Sequence, residues 1–242
     1  MTSPRAEASP STRGRILAAL YVFVVIAGIT AQVFISDRLV VGDDAARTAA
    51  NILANTSLYR LGFTIFMLEM VAQVGVSLLF YDLLKPVDRS VARASAVLGL
   101  TGCGIKTFAR LFYYVPLILL SGASYLSAIQ PAHLQALSLA FIKVNNQGAA
   151  IGTIFFGFEV LLRGWLVFNS GFLPRLLGVL SMVSGLGWLT YLWPPLGSQL
   201  FIVVALFAIA GVIATAGWLF TRGVDDAKWS VRASLAATSI WR

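Results

Sequence analysis

The chain has 242 residues, 58% of them hydrophobic and only 12% charged, with a formal net charge of +8. A water-soluble domain carries closer to a quarter of charged residues, so this composition excludes an ordinary soluble enzyme and points to a helical membrane protein. The cations are spread over several short segments rather than massed in one, which argues for cationic loops and against a nucleic-acid partner.

In chain order, residues 1–14 (MTSPRAEASPSTRG) are polar and rich in Ser and Pro, and read as a disordered tail. The apolar run 16–35 follows Arg13 and Arg15. It is too long for a signal peptide and has no small-residue cleavage site, so it reads as an uncleaved first span. A polar loop follows, in which Asp43 and Asp44 precede AARTAANILA and predict a short helix. The second span, 58–84, carries Glu69 and Gln73 one helical turn apart. It ends at the charged turn Lys85-Pro86-Val87-Asp88-Arg89, where Pro86 cannot continue the helix.

The third span, 91–120, is long enough to cross a bilayer yet contains Lys106 and Arg110, and Pro116 is placed to bend its last turn. Residues 131–147 open on a proline and line up Leu134, Leu137, Phe141 and Val144. They read as a short amphipathic helix at the interface, with direct continuation into the next span as the other reading. Spans 148–168, 176–193 and 199–220 complete the set, with a charged tail at 221–242. Gly148 and Gly152 are spaced for close helix packing. Termini and even-numbered loops hold 12 of the 18 Lys and Arg, so the expectation is a single six-span all-α domain, 15–220, with both termini cytoplasmic.

Four stretches carry a resemblance: ARTAANILANTSLYRLGF (46–63), LLFYDLLKPVDRS (78–90), YLSAIQPAHLQALSLAF (125–141) and FFGFEVLLRGWLVFNSGFLPRLLGVL (155–180). Together they resemble the bacterial multi-span family catalogued as domain of unknown function 4386, over about residues 15 to 220. The resemblance implies a multi-pass protein of the bacterial cytoplasmic membrane with no assigned activity and no catalytic residues to carry over. Many members of that family have a histidine where this chain has Glu159, which weakens any metal or haem site built on that position here.

On a 3.6-residue period Gly99, Cys103, Lys106, Arg110 and Tyr113 share one face of the third span. Two cations cannot face lipid, so that face looks into protein or water. Glu69, Lys106 and Glu159 fall near the middles of spans two to four, while Arg163 lies nearer a helix end, from which it can snorkel. Glu69, Lys106, Arg110 and Glu159 sum to zero charge. Left unpaired, each would cost ~2.5–3.5 kcal/mol, so the two glutamates are expected to face Lys106 or Arg110 across helix interfaces.

The expected ligand-contacting residues are Glu69, Gln73, Lys106, Arg110, Tyr113 and Glu159. The expected partners are membrane lipids and a small polar or anionic solute. Three functions compete: binding or passage of such a solute, an accessory subunit in which the charges only set packing, and an enzyme acting on lipid or isoprenoid. The last has only His133 as a candidate acid or base. Cys103 is the sole cysteine, so no intrachain disulfide and no cysteine-cluster metal site is expected, and no metal or cofactor.

Overall fold

The computed structural model describes residues 9–239, and these are helical with no strand among them. The first eight residues of the expected disordered tail lie outside the described part. The rest of that tail is ordered, because α1 (Pro10–Ile29) begins inside it. Ser9 caps it: its hydroxyl accepts from the Thr12 amide at 3.2 Å, and Pro10 takes the first helical position, where a missing N–H costs nothing. A π-helical segment, Thr30–Ser36, and a short turn, α2 (Asp37–Leu39), continue α1 without a break. Ala27, Ala31, Ile35 and Leu39 are all buried at intervals of four residues. An α-helix of 3.6 residues per turn would rotate the last of them off that face, and the wider π turn holds them in line.

The short helix expected after Asp43 and Asp44 is α3 (Ala45–Ala54), capped by the Asp44 carboxylate, which accepts from the Arg47 amide at 2.8 Å. Then come α4 (Thr56–Leu84) and α5 (Arg89–Leu119), with Asp88 capping α5 through the Ser90 and Val91 amides. Pro116 lies within α5, which runs on past it for three more residues.

Residues 131–147 are not a separate interfacial helix. They form the first part of α6 (Pro131–Ser170), a continuous 40-residue helix about 60 Å long. Gly148 and Gly152 do not break it, because each faces α5 closely. A Cβ at Gly148 would stand 2.7 Å from that of Ala109, and one at Gly152 would stand 2.7 Å from the Lys106 stem. Gly171 (φ +74°) turns the chain into α7 (Arg175–Leu189). Pro194-Pro195 opens α8 (Pro194–Thr221), and α9 (Asp226–Ser239) occupies the tail.

Five stretches are long and apolar enough to cross a membrane: Pro10–Leu39, Thr56–Leu84, Pro131–Ser170, Arg175–Leu192 and Pro194–Thr221. On α8, Ile202, Leu206 and Ile213 are each more than 60% exposed, an arrangement that suits lipid and not water. The remaining long helix, α5, has 31 residues but is less apolar, since Lys106 and Arg110 lie within it.

The chain divides into two compact units, with the boundaries falling inside the long helices. The first comprises residues 1–22, 73–100 and 154–242, and the second comprises 23–72 and 101–153. In the second unit the core is Ala31, Ile35, Leu39, Ile52, Tyr59, Phe66, Tyr113 and Ile142. In the first, the chain ends are tied together: the Ser11 amide donates to Asp226 at 2.9 Å, and the Ser11 hydroxyl donates to the Val224 carbonyl at 2.9 Å. Trp229 of α9 donates its ring N–H to the Leu83 carbonyl at the end of α4.

Also in the first unit, α6 and α7 meet through glycines seven residues apart on each helix. A Cβ at Gly164 would stand 2.8 Å from the Gly178 carbonyl, and one at Gly185 would stand 2.8 Å from the Gly157 carbonyl. The two backbones touch, and only glycine fits. Gly178→Ala would place its Cβ 2.6 Å from the Phe168 nitrogen, and overpacking of this kind costs about 1–3 kcal/mol. Gly217→Ala, with nothing within 4 Å, is expected to be neutral or slightly stabilising. Thermal unfolding in detergent reads the contrast; equal midpoints for the two variants would contradict the packing described.

Candidate functional site

The deep charges form two clusters, one in each unit. In the first unit Glu159 and Arg163, one turn apart on α6, are 1% and 2% exposed. Arg163 Nη1 faces Glu159 Oε1 at 3.5 Å. The carboxylate also accepts from Ser77 of α4 at 2.9 Å, and Ser95 of α5 donates to the Glu159 carbonyl at 3.0 Å. Arg163 donates from Nη2 to the Tyr21 hydroxyl at 2.8 Å, and its guanidinium lies 4.2 Å from the centre of the Phe80 ring. Arg163 therefore does not snorkel. Its charge is balanced one turn away on its own helix, and ring faces cover its plane, so it gains nothing by reaching for water. A Cβ at Gly99 would stand 2.6 Å from the Glu159 carboxyl carbon, so α5 opens just enough room for this pair.

In the second unit, Lys106 Nζ of α5 donates to Glu69 Oε1 of α4 at 3.2 Å. Glu69 is 6% exposed, and its Oε1 would stand 3.3 Å from a Cβ at Gly28 of α1. Arg110, 3% exposed, is one turn further along α5. Its Nη1 donates to Asn145 Oδ1 of α6 at 3.0 Å, and its plane lies over the Phe66 ring at 3.5 Å from the centroid. Among the described residues no carboxylate makes an ion pair with Arg110, and its Nε–H is buried without an acceptor. Glu69 Oε2 is likewise buried without a donor.

Tyr113 is fully buried, stacked on Tyr59 with ring centres 4.3 Å apart, and its carbonyl accepts from the Tyr59 hydroxyl at 2.7 Å. Its ring also meets Phe66 edge-on, so Phe66 is shared between Tyr113 and Arg110.

The six residues singled out in the sequence thus divide. Glu69, Lys106, Arg110 and Tyr113 belong to the second unit; Glu159 and Gln73 belong to the first. Glu69 does meet Lys106. Glu159 instead takes Arg163, for the reason visible in its spacing: a Glu four residues before an Arg on one helix is an adjacent opposite charge. The expected cancellation of four deep charges therefore fails, because Glu159 is already neutralised. One carboxylate faces two cations in the second unit.

Asn145 was missed, since the amphipathic pattern of 131–147 placed it outside the spans; the polar run Asn145-Asn146-Gln147 inside a long apolar helix was the available signal. Cys103 is buried, and His133 is exposed at the start of α6.

Residues 16–223 match the family described as Domain of unknown function (DUF4386), and the chain belongs to it. It is also similar to an uncharacterised protein of Archaeoglobus fulgidus, 26% identical over 158 residues, which are 64% of this chain and 80% of the relative. No solved structure matches the chain.

Glu159→Met leaves Arg163 buried without its carboxylate, and breaking a buried pair on one side costs about 3–5 kcal/mol. Glu159→Met with Arg163→Met removes both charges and is expected to recover most of that loss. Denaturant unfolding of both variants in detergent micelles decides the matter; a single variant as stable as the parent would show that the pair holds nothing.

Proposed function

We propose that this family member crosses the membrane six times, with both termini cytoplasmic, and binds a small anionic solute at Arg110 and Lys106. The topology rests on a tie between the chain ends. Ser11 and Asp226 are hydrogen-bonded, which supports both ends on one side and an even number of crossings. With five strongly apolar stretches, α5 is the sixth crossing in this reading. The charge distribution agrees: the residue ranges of the first unit, which include both ends, hold 12 of the 18 Lys and Arg.

The observation that carries the ligand reading is Arg110. A guanidinium that is 3% exposed, partnered by one neutral amide and one ring face, retains its charge and an unused donor in an apolar interior. An intramembrane ionisable group with no ion-paired acid is a functional-site hypothesis by default. Lys106 supports it from one turn away, while Glu69 holds Lys106 in place. The Glu159–Arg163 pair, whose two charges cancel, favours a second role for the deep charges, fixing the packing of α4, α5 and α6 in the first unit.

Native mass spectrometry of the detergent-purified protein tests the ligand reading. The parent is expected to carry a small adduct that Arg110→Ala and Lys106→Ala lack. Bare protein, or the same bulk lipid in all three, would count against it.

The topology has its own readout. In a Cys103→Ser background, Tyr125→Cys is expected to react with an impermeant maleimide in intact cells, and Leu235→Cys only after lysis. The parent residues are 69% and 62% exposed. Labelling of both from outside would refute the six-span arrangement.

A further inference from the structure

We propose that the site at Arg110 selects a monovalent oxyanion, such as a carboxylate, over a divalent one; this rests on the anion reading above. The charges inside the second unit are Glu69 and Arg110, both buried, and Lys106, whose side chain is 16% exposed and paired to Glu69; together they leave one positive charge in excess. The other ionised groups of that unit, Asp37, Arg38, Asp43, Asp44, Arg47, Arg60 and Lys143, are all exposed. Water screens them, so they do not offset the interior. One negative charge brings the interior to neutrality. A second would recreate, with opposite sign, the uncompensated charge that the first removed.

The recognising groups are held in place. Asn145 fixes one end of the Arg110 guanidinium, and Phe66 lies against its plane, so the edge bearing the unused Nε–H has a set direction. An oxyanion accepts on that edge through an oxygen in the guanidinium plane. Glu69 Oε2, buried without a donor, repels any further negative charge brought into the cluster.

Titration calorimetry of the full chain in a non-ionic detergent, at constant ionic strength, tests the rule with sodium acetate, sodium nitrate and sodium sulfate as probes. Acetate or nitrate is expected to bind, and sulfate to bind ~10-fold or more weakly. Glu69→Gln raises the excess to two charges and is expected to shift the sulfate-to-acetate affinity ratio toward sulfate by ~10-fold or more. Asn145→Asp puts a carboxylate against Arg110 and is expected to weaken acetate by a similar factor. It completes an ion pair with Arg110 and gives up only the Asn145 Nδ2 hydrogen bond to the exposed Asn146.

If the parent binds acetate and sulfate alike, or if either variant leaves its affinities unchanged, the charge rule is wrong while the anion site stands. If the parent binds none of the three probes, or if Arg110→Ala binds them as the parent does, the anion site fails and the inference with it.

Discussion

A charged side chain buried in an apolar bundle must be matched within a few ångströms, and most of the interior here is arranged around that requirement. The two units meet it differently. In the first, acid and base sit on one helix, so the match needs no second helix, and neighbouring helices add Ser77, Ser95, Tyr21 and Phe80. In the second, the match is made between α4 and α5 and is incomplete. A neutral pair that depends on no outside group and a cluster with surplus charge call for different explanations, although the residues involved are of the same kinds.

Room for these groups comes from glycine. Glu69 lies against Gly28, the Lys106 stem against Gly152, and Glu159 against Gly99, each glycine belonging to a different helix from the charge it accommodates. A bulky polar side chain between two helices would ordinarily push them apart and let lipid or water in. A missing Cβ on the facing helix lets the charged group lie flat while the helices stay close enough for hydrogen bonding. The crossing of α6 and α7 uses the same device without charges, backbone on backbone.

Much of this was legible in the sequence. The apolar runs, the proline and glycine breaks and the Asp44 cap place the helices, and depth offered Glu69 two cations, Lys106 or Arg110, of which it meets Lys106. What was not legible has identifiable causes. The continuity of α6 was hidden because the amphipathic pattern of its first turns reads like that of a surface helix, and only its packing against α5 shows otherwise. Asn145 was lost with it. The pairing of Glu159 was misread because depth in the membrane was weighed above spacing along the helix, where a partner four residues away needs no tertiary structure. The glycine crossing of α6 and α7 escaped because seven-residue spacing within each helix says nothing until the two are laid side by side.

The π turn at Thr30–Ser36 amounts to an insertion that the first span has absorbed without breaking. It corrects the phase of the span, so that Leu39 after it stays on the face that Ala27 occupies before it. Leu17 and Ala18 can be set for the neighbours of the first unit while Ile35 and Leu39 are set for those of the second. A change of one residue in length at this point can be taken up by tightening the wide turn, so the first span has a built-in joint.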